Sequence, residues 1–190
     1  MKIFIPKEDS NELRTAISPE VVKKLSGSGH EIFIETNAGS GSNFDDEILI
    51  EAGAKIYNDN NQLKTADFIF RVNAPSENEI ALYKEDSILI ASLNPYNNIE
   101  IIKKLEAQKT ISFAMELMPR ITRAQSMDVL SSQSNLAGYQ AVIEASNIFN
   151  KAMPMMMTAA GTIAPAKVMV FGAGVAGLQA IATAKRLGAI

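Results

Sequence analysis

Gly172, Gly174 and Gly177 stand at the spacing G-x-G-x-x-G in this 190-residue chain. Glycines so spaced hold a phosphate group by main chain rather than by side chain. The first permits a tight turn, the second lets the backbone approach a pyrophosphate, and the third allows a helix to pack closely on a strand. The helix that follows presents unpaired N–H groups and a partial positive charge to the anion. The triplet alone is a weak signal, and a glycine-rich helix start in a domain that binds no nucleotide is the plain alternative. Its context strengthens it: the apolar run Val168-Met169-Val170-Phe171 precedes it and the helix-like run Leu178 to Leu187 follows.

A second set of polar residues lies upstream, in Pro119-Arg120-Ile-Thr-Arg123-Ala-Gln125-Ser126-Met-Asp128-Val-Leu-Ser131. Two structural readings suffice for it. Thr122 and Gln125 have the spacing of a capping box, in which each side chain satisfies the other's backbone N–H. Asp128 has the sign that complements the start of a helix dipole. Gln125, Asp128 and Ser131 stand at successive i+3 steps, so they can line one edge of a helix start and still face a ligand.

Composition removes other chemistries. Cysteine is absent and His30 is the one histidine, so neither thiolate nor histidine metal clusters are available. No metal site is expected. His30, in Ser28-Gly-His-Glu-Ile32, reads as a surface residue at a helix-to-strand turn. A net charge of -3 gives no electrostatic footprint for nucleic acid or an anionic membrane.

The elements that position these residues alternate along the chain. Apolar, partly β-branched runs at 2–5, 31–35, 67–72, 87–93, 110–114 and 167–171 read as strands. Ser18-Pro19-Glu20 opens a helix, serine as cap and proline at the first position, with Gly27 and Gly29 closing it. Segments 76–83 and 97–108 read as further helices. Met127, Leu130, Ala137, Ala141, Ala145 and Ile148 keep helical spacing over one long helix, 127–149. Pro154, Gly161 and Pro165 then punctuate a linker. Within it Met155-Met156-Met157 reads as flexible thioethers filling an irregular core gap.

The expected class is therefore α/β: an amino-terminal doubly wound, flavodoxin- or Rossmann-like domain over 1–125, a connecting helix over 126–150 and a linker over 151–166. Residues 167–190 form the first strand, glycine turn and helix of a second, truncated Rossmann domain. Met1 to Pro6 lacks the longer apolar region and cleavage site of a signal peptide. The uncharged stretch 168–184 is shorter than the roughly 20 residues of a membrane-spanning helix. The fingerprint also expects an acid about 20 positions on, to hold the ribose hydroxyls. Gly172 to Ile190 is 19 residues counting both ends, so that acid falls beyond the chain, which reads as a fragment. The expectation is that the isolated chain binds NADH weakly or not at all.

The loop 119–133 with Asn135-Leu-Ala-Gly-Tyr139, the segment Pro154-Met-Met-Met-Thr-Ala-Ala-Gly161 and the run from Gly172 to Ala184 resemble the NAD(H)-binding subunit of proton-translocating nicotinamide nucleotide transhydrogenases. The resemblance covers the whole chain. It implies that Arg120, Gln125, Ser126, Asp128 and Ser131 lie around the nicotinamide and its ribose. Gln125 and Ser131 would hydrogen-bond near the ring, and Arg120 and Asp128 would pair to hold the loop. Ala173, Gly174 and Val175 would cradle the pyrophosphate, flanked by Gly172 and Gly177. It also implies NADP(H) on a partner component, a membrane-embedded partner subunit, a homodimer, and a place on the cytoplasmic side, peripheral to the inner membrane through those partners.

The segment Pro6-Lys7-Glu8 with Glu12, Arg14 and Ser18-Pro19-Glu20 is similar to alanine dehydrogenases as well. Those enzymes use an arginine for the substrate carboxylate and a lysine and a histidine for the keto acid and its proton. Arg14 matches the arginine, but Asn73 and Asn94 stand where the lysine and histidine align. An amide shuttles no proton near neutral pH, which disfavours amino-acid dehydrogenation. Hydride transfer between two nicotinamides requires no such acid. The competing reading is a non-catalytic remnant or split-gene fragment that retains the first domain.

Overall fold

A computed structural model describes residues 1–9 and 11–190, in two compact units, Met1–Pro119 and Arg120–Ile190. In the first unit six strands form one parallel sheet: β1 (Lys2–Ile5), β2 (Glu31–Glu35), β3 (Lys55–Tyr57), β4 (Phe68–Asn73), β5 (Ile88–Ser92) and β6 (Ile111–Ala114). Their order is β3-β2-β1-β4-β5-β6, that of a doubly wound dinucleotide-type sheet. Helices α1 (Pro19–Gly27), α2 (Asp46–Glu51), α3 (Glu77–Ile80) and α4 (Ile99–Ala107) make the crossovers.

Strand alternation builds a core on each face. Ile3, Ile5, Ile32 and Ile34 point to one side and pack with Val22 and Leu49 from α1 and α2. Phe4, Ile69, Leu89 and Ala91 point to the other, with Ile80 and Leu105 from α3 and α4. This is the period of two that a pleated strand imposes. Ser18 caps α1, its hydroxyl accepting from the Val21 N–H, and Ser76 caps α3 through the Glu79 N–H. β3 and α2 carry no sequence expectation. Three and six residues are too few to display a period.

In the second unit the long helix is α5 (Val129–Ile148), and α6 (Val175–Arg186) follows the glycine turn. The two helices approach closely where α5 has Gly138: a Cβ there would lie 2.2 Å from the Ala176 carbonyl oxygen. Asn135 donates to Gln179 three residues further along, at 3.2 Å, so the helices run past each other in opposite senses. Val142, Ala166, Ala180, Ala184 and Ala189 form the small core beside this contact.

Two expectations need correction here. The segment read as a linker contains an antiparallel hairpin, β7 (Met156–Thr158) with β8 (Gly161–Ile163), turned through Ala159 and Ala160, with Gly161 opening β8 at φ +136°. Met155, Met156 and Met157 are exposed on it rather than filling a core. The run 167–171 is not a strand, and Met169 and Phe171 stand 78% and 92% exposed. A strand needs a neighbour to take up its N–H and C=O groups. Here one rung is made: the Ile190 N–H donates to the Ala166 carbonyl and the Val168 N–H to the Ile190 carbonyl, both at 2.8 Å. That pattern is a single parallel bridge between positions 167 and 190, the pairing of a βαβ unit.

Candidate dinucleotide site

The glycine turn has the backbone its residue types predict. Gly172 sits at φ +110°, a region where a side chain is strained. A Cβ on Gly177 would lie 2.2 Å from the Gly172 carbonyl oxygen, so the turn folds back on itself only with glycine there. Gly174 differs. Its φ of -76° is ordinary, and a Cβ would meet nothing within 4 Å. The space in front of Gly174 is open, at the cap position of α6. Among the described residues no side chain caps that helix. First-turn N–H groups lack intrahelical partners, so those flanked by Ala173 and Val175 are presented to an outside acceptor. The site therefore fits a phosphate-bearing ligand by shape and by donor set.

The upstream loop is built differently from the capping box its spacing suggests. Thr122–Met127 is a 3-10 turn that starts after Ile121, and Thr122 lies inside it with no capping bond. The Ala124 N–H is already taken by the Ile121 carbonyl at 2.9 Å, so the geometry a box requires is not adopted. The cap of α5 is Asp128. One oxygen accepts the Ser131 N–H at 2.9 Å and the other the Ser131 hydroxyl at 2.6 Å. Those two bonds hold the Asp128 carboxyl below the usual carboxylate range, and the field of Arg120 adds to them.

Arg120 and Asp128 do not form the ion pair expected of them. Arg120 is exposed and makes no salt bridge among the described residues, because both oxygens of Asp128 are turned to Ser131. Gln125 and Ser126 are exposed and make no side-chain hydrogen bond among the described residues, so their polar groups face outward. The loop and the glycine turn attach to α5 at different heights. Asp128 caps its start and Gly138 receives α6, ten residues along. At 1.5 Å rise per residue that is about 15 Å.

Sequence reasoning passed over Gly138. Its signal was a glycine in the middle of an unbroken helical period, where glycine is unfavourable unless a close approach requires it.

In the first unit the β1/β4 boundary is where the strand order reverses, the crevice such sheets use for ligands. Arg14 does not point into an empty pocket there. Its guanidinium grips Glu12, Nε to Oε1 at 2.8 Å and Nη2 to Oε2 at 2.6 Å. Asn73 Nδ2 donates to the same Glu12 at 3.1 Å. Asn94 sits at φ +46°, and the carboxylate of Glu116 accepts its N–H and that of Leu93.

Beneath lies a buried ionic cluster. Arg71 binds Glu8 at 3.1 Å and also Glu79, and Tyr83 donates to Glu79. Glu8 further accepts the Val72 N–H at 2.6 Å and the Asn73 N–H at 3.3 Å. Burial pushes the Glu79 carboxyl up despite Arg71, and pushes the Tyr83 hydroxyl well up. The sequence signal for this cluster was an arginine inside the apolar run Phe68-Ile-Phe-Arg71-Val.

The family model described as "Alanine dehydrogenase/PNT, N-terminal domain" matches residues 4–137, and the "Alanine dehydrogenase/PNT, C-terminal domain" matches 141–190. The chain belongs to the alanine dehydrogenase/PNT family. Within it, the first part of the NAD(P) transhydrogenase subunit alpha of Rhodospirillum rubrum is 55% identical over 197 residues, covering 100% of this chain and 51% of that one. An alanine dehydrogenase of Staphylococcus epidermidis is 36% identical over 193 residues, covering 100% and 52%. Among solved structures, the transhydrogenase of Sinorhizobium meliloti superposes with a TM-score of 0.96 at 54% identity, over 100% of this chain and 57% of that one. The chain spans about half the length of the curated relatives it matches. The doubly wound sheet expected from the sequence is the fold of this family member. Among the described residues no helix is long and apolar enough to cross a membrane.

Proposed function

We propose that the chain is the NAD(H)-binding part of a proton-translocating transhydrogenase, in which hydride passes between NAD(H) and NADP(H) carried by a partner component. The observation that carries this reading is the open, uncapped α6 start at Gly174, held between two glycines that the turn itself requires. The identity to chains named as transhydrogenase subunits supports it, and exceeds that to the alanine dehydrogenase.

The residue roles are those the resemblance implies, and the open turn at Gly174 supports the pyrophosphate part of them. Ala173, Gly174 and Val175 take the pyrophosphate by main chain, with Gly172 and Gly177 shaping the turn. Arg120, Gln125, Ser126, Asp128 and Ser131 surround the nicotinamide and its ribose. Ser131 gives its hydroxyl proton to Asp128, so toward a ligand it is an acceptor. Gln125 keeps both amide donors and its carbonyl for the ligand. The nicotinamide supplies the hydride, and the chain's role is to orient the ring and exclude water.

The partners in this reading are an NADP(H)-binding subunit, a membrane-embedded subunit, and a second copy of this chain. The exposed Met156 and Met157 on the short hairpin support the homodimer. The chain then works on the cytoplasmic side, peripheral to the inner membrane through its partners. Amino-acid dehydrogenation is not supported, because Asn73 and Asn94 carry no transferable proton and Arg14 is occupied.

The test is isothermal titration of the chain with NADH, beside Arg120→Ala and Gly174→Val. Weak saturable binding, reduced about tenfold or more in both variants, is expected. Binding untouched by Gly174→Val would overturn the assignment of the turn.

A further inference from the structure

The chain leaves β6 at Ala114 and comes to Arg120 six positions on, and one side chain fixes how it leaves. Glu116, half-buried in the 3-10 turn Met115–Leu117, reaches back to the end of β5, 23 residues earlier in the sequence. Its Oε1 and Oε2 accept the Leu93 N–H at 3.0 and 3.1 Å, and Oε1 also accepts the Asn94 N–H. Asn94 is held at φ +46°, uncommon for a residue with a side chain, and such a residue turns successive N–H groups toward one anion. The receiving loop is itself pinned. Asn98 Nδ2 donates to the Leu93 carbonyl at 2.8 Å, and Asn97 Nδ2 to Asn94 Oδ1 at 2.9 Å.

Beyond the clasp the chain is stiff but otherwise unheld. Met118 is extended at ψ 127°, as a residue before proline must be, and Pro119 has its φ fixed by its ring. Leu117, Pro119, Arg120 and Ile121 are exposed, and among the described residues 117–121 make no side-chain hydrogen bond. The direction set at Glu116 is therefore carried to Arg120 with little slack. We infer that Glu116 is a positioning residue for the nicotinamide loop: its clasp on Leu93 and Asn94 fixes the start of residues 120–128, so that Arg120 and Gln125 are ordered before a ligand arrives. This rests on the reading of that loop as part of the NAD(H) site. Without the clasp the loop must be ordered by the ligand, at a cost in affinity.

Amide-detected NMR titrations of the 190-residue chain and of Glu116→Ala, with NADH and separately with ADP, test this. ADP brings a pyrophosphate to the glycine turn and has no nicotinamide. The expected result is NADH binding weakened about fivefold or more in Glu116→Ala with ADP binding unchanged, and Glu116→Gln, which keeps one carbonyl oxygen as acceptor, falling between. A merely structural role for Glu116 would weaken both ligands alike, and that outcome overturns the proposal. So does NADH binding that is equal in Glu116→Ala and the unaltered chain. No NADH binding by the unaltered chain overturns the reading of the loop together with the inference. Should Glu116→Ala fail to fold, Glu116→Gln is compared with the unaltered chain on the same two ligands, and the same outcomes decide.

Discussion

Gly174 and Gly177 look alike in the fingerprint and differ in what they do. A side chain at 177 would collide with the Gly172 carbonyl, whereas one at 174 meets open space at an ordinary backbone angle. Gly174→Ala is therefore expected to leave the melting temperature within about 2 °C of the unaltered chain, as a neutral surface change does. Gly177→Ala is expected to lower it, by the roughly 1–3 kcal/mol typical of overpacking, on the order of several degrees. Thermal melts of the two variants side by side check this. Glu12 carries a second prediction at this scale. Its carboxyl is held near 2 by Arg14, so the pairing contributes stability above the ordinary glutamate range and is lost only as pH falls through about 2. A carbon-detected NMR titration should place its midpoint well below those of exposed glutamates. A midpoint in the ordinary range would contradict that pairing with Arg14.

The meeting of α5 and α6 at Gly138 is a feature of elements rather than of single residues. Gly138→Ala would place a methyl 2.2 Å from the Ala176 carbonyl and force the helices apart. The expected cost is about 1–3 kcal/mol, even though alanine is the better helix former, and chemical denaturation measures it. Elements of this chain were legible where a period had room to show. α5 and the alternation of β1, β2, β4 and β5 were readable because buried apolar residues repeat over many positions. β3, α2 and the β7–β8 hairpin were not, since three to six residues carry no period and the hairpin's methionines face outward. The run 167–171 has the composition of a strand, but composition does not supply a neighbour, and the backbone makes one rung with Ile190. The same limit applied to the loop. Thr122 and Gln125 have the letters of a capping box, yet the cap is Asp128, six residues past Thr122, because the 3-10 turn uses the intervening N–H groups itself.

At the scale of the molecule, one unit carries a complete parallel sheet and the other a glycine turn with its helix and the polar loop. The candidate ligand groups of the second unit lie at two heights on α5, so a ligand that uses both must be extended, as a dinucleotide is. Residues 172–190 include no aspartate or glutamate, so the ribose-holding acid of the fingerprint is not among them. Millimolar rather than micromolar affinity is accordingly expected of the 190-residue chain, about 4 kcal/mol of binding free energy. The most direct test is an amide-detected NMR titration with NADH, which registers weak binding and locates it. The account predicts shifts at the amides of residues 172–177 and at Gln125, Ser126 and Ser131, with the amides of β1 and β4 unmoved. Shifts confined to the β1/β4 crevice, or none at several millimolar NADH, would contradict it.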